Sequence, residues 1–215
     1  MILVPVKNIE NAKERLSPVL DSLARRELAK AMLEDVLEAV AGLRRQADIA
    51  LVTSDAYATR LAQQHRFEII PDPINRSETD AIAHATELSV AGGANWTLVI
   101  PADIPLVKSS DLEQILAKAP LRGSLLVPGW DGCGTNAVFR RPGDLFSLQF
   151  GNESFKPHLR AAQARGECIV LQMERVGLDV DNPGDLARLV TASGTTRTQR
   201  LLRQWQSQHI RLAAS

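Results

Sequence analysis

The sequence predicts an α/β fold, a single domain on a mostly parallel, Rossmann-like sheet with helices on both faces. Three observations carry this. Short, uninterrupted apolar runs recur through the first hundred residues, as in strands covered on both sides. Segments with an apolar stripe at helical spacing separate them. Gly, Pro and Asp fall at the junctions, where chains turn. Strands that alternate with helices in this way build parallel sheets through right-handed crossovers.

Taken in order, Ile2–Val6 is the first strand. Asp21 begins a helix over Ser22–Val40, whose Leu23, Leu28, Met32, Leu33, Val36, Leu37 and Val40 form one stripe. Gly42 offers its C-terminal stop. Ile49–Thr53 is a strand, Ala56–His65 a helix and Phe67–Ile70 a strand that Pro71-Asp72-Pro73 ends. Ala81–Val90 is helical up to Gly92-Gly93; Thr97–Ile100 is the fourth strand and Ser110–Ala117 the next helix. Beyond residue 120 the alternation changes. Leu125–Pro128 and Asn136–Arg140 flank a glycine-rich turn, Phe155–Arg165 is helical, Ile169–Met173 and Val176–Asp179 are short strands, and a helix runs from Pro183 to Val190. Residues 1–192 thus form the domain. Residues 193–215 form a helical tail whose Leu201, Leu202, Trp205 and Ile210 share one sticky side, for packing or for a homodimer contact.

The chain has 215 residues, 45% hydrophobic and 23% charged, with a formal net charge of zero, so nothing points to nucleic acid or to a membrane surface. No apolar stretch is long enough to span a bilayer. The opening Met-Ile-Leu-Val-Pro-Val-Lys is too soon charged for a signal peptide, which leaves the cytoplasm as the expected location. Cys133 and Cys168 stand apart with no C-x-x-C, so they are expected to be small buried or half-buried residues rather than metal ligands.

In parallel sheets ligands sit beyond the carboxyl ends of the strands. Asp103 follows the fourth strand between Pro101 and Pro105, which limit its backbone and help fix its direction. The loop after the first strand carries Lys7, Lys13 and Arg15 without a G-x-G-x-x-G or a Walker pattern. Basic side chains, rather than a glycine cradle, would have to meet phosphates there. Asp179 and Asp181, one residue apart, point the same way in an extended chain and would gain from a divalent cation. Alternatively, Asp181 caps the helix at Pro183, with Asp185 as a first-turn acid. D-G-C-G-T-N-A at 131–137 permits a close backbone approach to a ligand or makes a hairpin turn; in F-G-N-E-S-F-K-P-H at 150–158, Ser154 fits an N-cap. Trp130, Lys156 and His158 are candidates for shaping a pocket by position.

These segments together resemble the 2-phospho-L-lactate guanylyltransferase family, a branch of the nucleotidyltransferases with a GT-A-like fold. The resemblance rests on P-V-K…A-K-E-R-L-S at 5–17, R-x-x-L-A-x-x-M-L-x-D-V-L at 25–37, I-P-A-D-I-P-L at 100–106, G-T-N-A at 134–137, F-G-x-x-S-F-x-x-H at 150–158 and L-D-V-D-N-P-x-D-L at 178–186. It implies GMP transfer from GTP to a small phosphorylated carboxylic acid (phospholactate, phosphoenolpyruvate or 3-phosphoglycerate), with release of pyrophosphate, in biosynthesis of the deazaflavin coenzyme F-420. It implies that Lys13 and Arg15, with Lys7 nearby, hold the triphosphate, that Asp103, Asp179 and Asp181 bind Mg2+, and that Thr135, Gly151 and Ser154 position the acceptor. One stretch departs from the family. In N-R-S-E-T-D-A-I, residues 75–82, Thr79-Asp80 stand where Leu-Asn is usual, at the expected nucleotide-base side.

An acceptor phosphate with a second pKa near 6 is already deprotonated at neutral pH and needs no general base. Repulsion among three aspartates alone predicts that removing any one of them leaves the metal-free chain no less stable. Two rivals are a metal-dependent glycosyltransferase, from the D-V-D pattern, and a nucleotide-binding regulator without turnover.

Overall fold

The computed structural model describes residues 1–43, 46–72, 77–151 and 153–207. Seven strands form one sheet: β1 Ile2–Pro5, β2 Ile49–Val52, β3 Glu68–Ile70, β4 Thr97–Val99, β5 Gly123–Pro128, β6 Thr135–Arg141 and β7 Cys168–Val170. Their order is β3-β2-β1-β4-β6-β5-β7. The β1–β2, β2–β3, β1–β4 and β5–β7 pairs are parallel, and β6 runs antiparallel to both its neighbours. The helices are α1 Ser22–Ala41, α2 Ala56–His65, α3 Glu78–Ala91, α4 Ser109–Lys118, α5 Phe155–Gln163, α6 Glu174–Gly177, α7 Pro183–Thr191 and α8 Arg197–Ser207.

Alternate residues of each strand feed opposite layers. Ile2 and Val4 of β1 pack with Leu33, Val36 and Leu37 of α1 and Leu112 and Ile115 of α4. Leu3, between them, packs with Ala81, Ile82 and Ala85 of α3 and Ala162 of α5. A third cluster joins Leu28 and Met32 of α1, Leu186 and Leu189 of α7, and Leu202 and Trp205 of α8. The apolar side of the tail helix is therefore spent within its own chain. Asp35, buried in α1, ties α8 down by accepting from the Arg197 and Thr198 backbone N–H groups at 2.8 and 2.9 Å and from the Thr198 hydroxyl at 2.6 Å. Ile210, Pro73, Asn75, Arg76 and Asn152 lie outside the described residues.

Some expectations are corrected. Val176–Asp179 is not a strand. Glu174–Gly177 is one helical turn, and the carbonyls of Val176 and Gly177 both receive the Asn136 amide, while that of Gly177 also receives the Trp130 backbone N–H. With those acceptors taken, no ladder can form. Gly42 does follow α1, but with a right-handed backbone, so the left-handed C-terminal motif is not its reason. A Cβ there would stand 2.2 Å from the Ser109 Oγ, so glycine lets the start of α4 approach. Ser154 sits before α5 without capping it. Cys133 is exposed, on the tight turn between β5 and β6, and only Cys168 is half-buried.

Candidate active site

The chain leaves β1 toward α1 on one side of the sheet and enters β4 on the other, so the carboxyl ends of β1 and β4 flank a crevice. A cleft of about 720 Å³ lies there. Lys7, Lys13 and Arg15 from the β1–α1 loop, Asp103 from the β4–α4 loop, Thr135 from β6, Gly151 and Ser154 before α5, and Asp179 and Asp181 before α7 all line it. Sequence positions nearly 170 apart thus share one wall.

Lys13 lies at its centre. Its ammonium donates to Asp103 Oδ2 at 2.6 Å and to Asp181 Oδ1 at 2.8 Å, and its side chain is only 10% exposed. Burial alone would lower its pKa, but the charges of Asp103 and Asp181, and the hydrogen bonds to both, outweigh burial and raise it. Asp181 feels the reciprocal effect: burial opposes ionisation, yet Lys13 and then Arg15 hold its pKa below the usual carboxylate range. Arg15 stands 3.9 Å from Asp181. Lys13 adopts a left-handed backbone, φ 58° and ψ 40°, uncommon for a residue with a Cβ. Strain of this kind gathers at functional positions. Lys7 sits apart from this group, on Asp72 at 3.0 Å.

Asp179 has no such cation. Its Oδ1 accepts from the Asn136 amide at 3.0 Å. Burial, and then the charge of Asp103, push its pKa up to about 6. Glu78, the first residue of α3, also lines the cleft, and burial followed by the charge of Asp103 raises it to about 7. The sequence reading passed over Glu78 in favour of Thr79 and Asp80. Helical geometry decides otherwise: each residue turns the side chain by about 100°. Thr79 turns back to accept the Phe150 backbone N–H at 2.9 Å, and Asp80 faces solvent. Neither lines the cleft. The signal was available, since Ser77 caps α3 and so fixes Glu78 as its first residue.

The capping alternative for Asp181 is settled by Asn182, whose side chain accepts from Gly184 and Asp185. Asp185 reaches back to the backbone N–H groups of Asp181 and Asn182, both at 3.0 Å, and also accepts the Trp130 indole N–H at 3.1 Å. The Arg188 guanidinium stacks 3.5 Å from the Trp130 ring centroid. Trp130 lines the cleft; Lys156 and His158 do not.

The remaining wall is neutral. The Ser154 hydroxyl donates to Thr135 Oγ1 at 3.1 Å, and both side chains are buried. Gly151 has a φ of 155°, which keeps the chain before α5 in a conformation that suits glycine.

Hard oxygen donors in this number suit a magnesium-class cation. As the side chains stand, Asp103 and Asp181 meet on the Lys13 ammonium. Among the described residues no group of three or more Asp, Glu, His or Cys is arranged to hold a metal ion. The donor chemistry fits a divalent ion, which would balance the carboxylate charge that, after burial, raises Asp179 and Glu78. The same pairing corrects the stability expectation. Removing Asp103 or Asp181 breaks an ion pair with a buried lysine; of the three aspartates, Asp179 is the one held by no described cation.

The fold and this acid- and lysine-lined cleft at the sheet's switch point define an α/β nucleotidyltransferase. A solved chain from Desulfovibrio desulfuricans, described as a nucleotide-diphospho-sugar transferase, superposes with a TM-score of 0.76 at 21% identity, covering 96% of this chain and 94% of that one. The chain belongs to the family described as "Guanylyl transferase CofC like", whose family model matches residues 1–210. It is 32% identical to the phosphoenolpyruvate guanylyltransferase of Roseiflexus castenholzii over 94% of this chain and 93% of that protein. It is 30% identical to the 2-phospho-L-lactate guanylyltransferase of Methanothermobacter thermautotrophicus over 94% and 89%. Among the described residues no helix is long and apolar enough to cross a membrane.

Proposed function

We propose that the chain transfers GMP from GTP to the phosphate of a small phosphorylated carboxylic acid and releases pyrophosphate, as a step in deazaflavin coenzyme biosynthesis. The observation that carries this reading is the Lys13 ammonium held between Asp103 and Asp181 in the same cleft as the Thr135–Ser154 hydroxyl pair. Names of relatives at about 30% identity support it.

An acceptor phosphate oxygen attacks the α-phosphorus, a new P–O bond forms there, and the bond to the β-phosphate breaks. The acceptor is already ionised, so the site supplies alignment and charge relief rather than a base. Lys13 and Arg15, with Lys7 at the edge, draw the triphosphate in and offset its charge. Glu78, at the expected base side, would accept from guanine N–H donors. Thr135, Gly151 and Ser154 hold the acceptor's carboxylate end. Asp103, Asp179 and Asp181 would hold Mg2+, which when bound supplies Lewis-acid relief of the repulsion between the two anions. A reaction on GTP and phosphorylated acids suits the cytoplasm. Residues 1–192 form the transferase unit, and 193–215 the tail, whose α8 buttresses α1.

The test incubates the purified protein with Mg2+, each of the four nucleoside triphosphates and each of phospholactate, phosphoenolpyruvate and 3-phosphoglycerate. Pyrophosphate and product mass are the readouts. GTP-dependent pyrophosphate with a guanylylated acid is expected. Nucleotide binding without product from any pair would leave a regulator instead.

A further inference from the structure

The buried imidazole of His158 has no place in the mechanism above, yet both its nitrogens are engaged. Nε2 accepts the Gln149 backbone N–H at 2.8 Å. A nitrogen that accepts carries no proton, so the ring is the neutral tautomer with its hydrogen on Nδ1. Nδ1 stands 3.0 Å from Thr135 Oγ1. It therefore donates to that hydroxyl. Ser154 donates to the same oxygen. With two bonds accepted, the Thr135 hydroxyl keeps its own hydrogen unspent, and Thr135 lines the cleft.

We infer that His158 is a positioning residue: it fixes the Thr135 hydroxyl as a hydrogen-bond donor to an anionic oxygen of the acceptor. The inference rests on the proposed acceptor role of Thr135. His158 itself is 1% exposed and touches the acceptor only through Thr135. Its other nitrogen holds the chain at Gln149, next to Phe150, whose ring meets the imidazole edge-on at 5.2 Å, and to Gly151. One side chain thus sets two parts of the same wall. Burial, then the charge of Arg140, lower its pKa to about 4, so the neutral ring persists at working pH.

Two substitutions separate positioning from packing. An Asn amide places an N–H where Nδ1 stood; a Gln amide places an acceptor where Nε2 stood. His158→Asn keeps the donor to Thr135, and His158→Gln keeps only the partner of Gln149. The experiment measures KM for acceptor and for GTP in wild type, H158N, H158Q and T135V. It also reads the imidazole tautomer of metal-free wild type by long-range 1H–15N spectra from pH 5 to 8, assigned by loss of the signal in H158N. The expected results are an Nδ1–H tautomer throughout and acceptor KM raised about tenfold in H158Q and T135V, the scale of one hydrogen bond. H158N lies nearer wild type than H158Q does, and KM for GTP does not move. A packing role predicts the reverse order, with the larger Gln better tolerated. An Nε2–H or imidazolium signal overturns the inference, as does H158Q matching wild type while T135V fails. If T135V itself leaves acceptor KM unchanged, the acceptor reading falls instead, and the inference with it.

Discussion

The two walls of the cleft solve opposite problems. The wall built from the β1–α1 loop, the β4–α4 loop and the segment before α7 concentrates charge: Lys13 bridges Asp103 and Asp181, while burial and then the charge of Asp103 push Asp179 and Glu78 toward their protonated forms. Among the described residues, the wall built from β6 and the start of α5 has no ionised group in its network, which joins Thr135, Ser154 and a neutral His158. The first stores repulsion that incoming cations and phosphates change. The second is satisfied in advance and fixes hydrogen positions. Charge stabilisation tolerates some movement of its parts, whereas orientation through hydroxyls requires rigid backing.

The contrast is most strongly tested at Lys13. Lys13→Met should abolish pyrophosphate release, by about 1000-fold or more where a charge-stabilising group is lost. It should also lower the melting temperature of the metal-free chain, since Asp103 and Asp181 are left facing each other. Next come the aspartates. Asp103→Asn and Asp179→Asn should each lose about 100-fold in turnover, but their metal-free melting temperatures should move apart, with Asp103→Asn falling and Asp179→Asn level or higher. Equal falls in both would remove the distinction between paired and unpaired carboxylates.

Glu78 offers a smaller effect with a definite sign. Its pKa rises from 4.5 to about 7 on folding. The folded chain therefore keeps a proton that the unfolded chain has lost, and stability declines as pH rises through that window. Glu78→Gln should melt above wild type by a margin that opens between about pH 4.5 and 7 and is constant beyond. A margin independent of pH would show that the group ionises freely. On the neutral wall the smallest effect is expected at Ser154→Ala, a few-fold rise in acceptor KM with no pH dependence.

Much of the first wall was legible because its residues sit at strand ends, and apolar runs locate strand ends well. Asp103 falls in the loop after β4 and Lys13 in the loop after β1, so parallel-sheet logic brings both loops to one edge. Four features were not read from the sequence. Glu78 was missed because the helix was read from Ala81, three residues late, which hid the phase of its first turn. The pairing of Lys13 with two aspartates depends on a left-handed backbone that no residue type there announces, lysine being an unfavourable choice for it. The segment Val176–Asp179 looked like a strand from composition, but the carbonyls of Val176 and Gly177 were already claimed by Asn136 and Trp130 from another part of the chain. The role of His158 needed both its nitrogens located, and spacing in sequence reports neither.

The Asp185 carboxylate accepts from the Trp130 indole and from the backbone of Asp181 at once. Trp96 is packed against the Phe139 ring and Trp205, on α8, is buried, while Trp130 is 49% exposed at the cleft. The chain therefore carries a natural optical gauge. Ligation that tugs on the aspartate loop is passed through one carboxylate to a fluorophore half in water, and emission can follow occupancy of the cleft without a label.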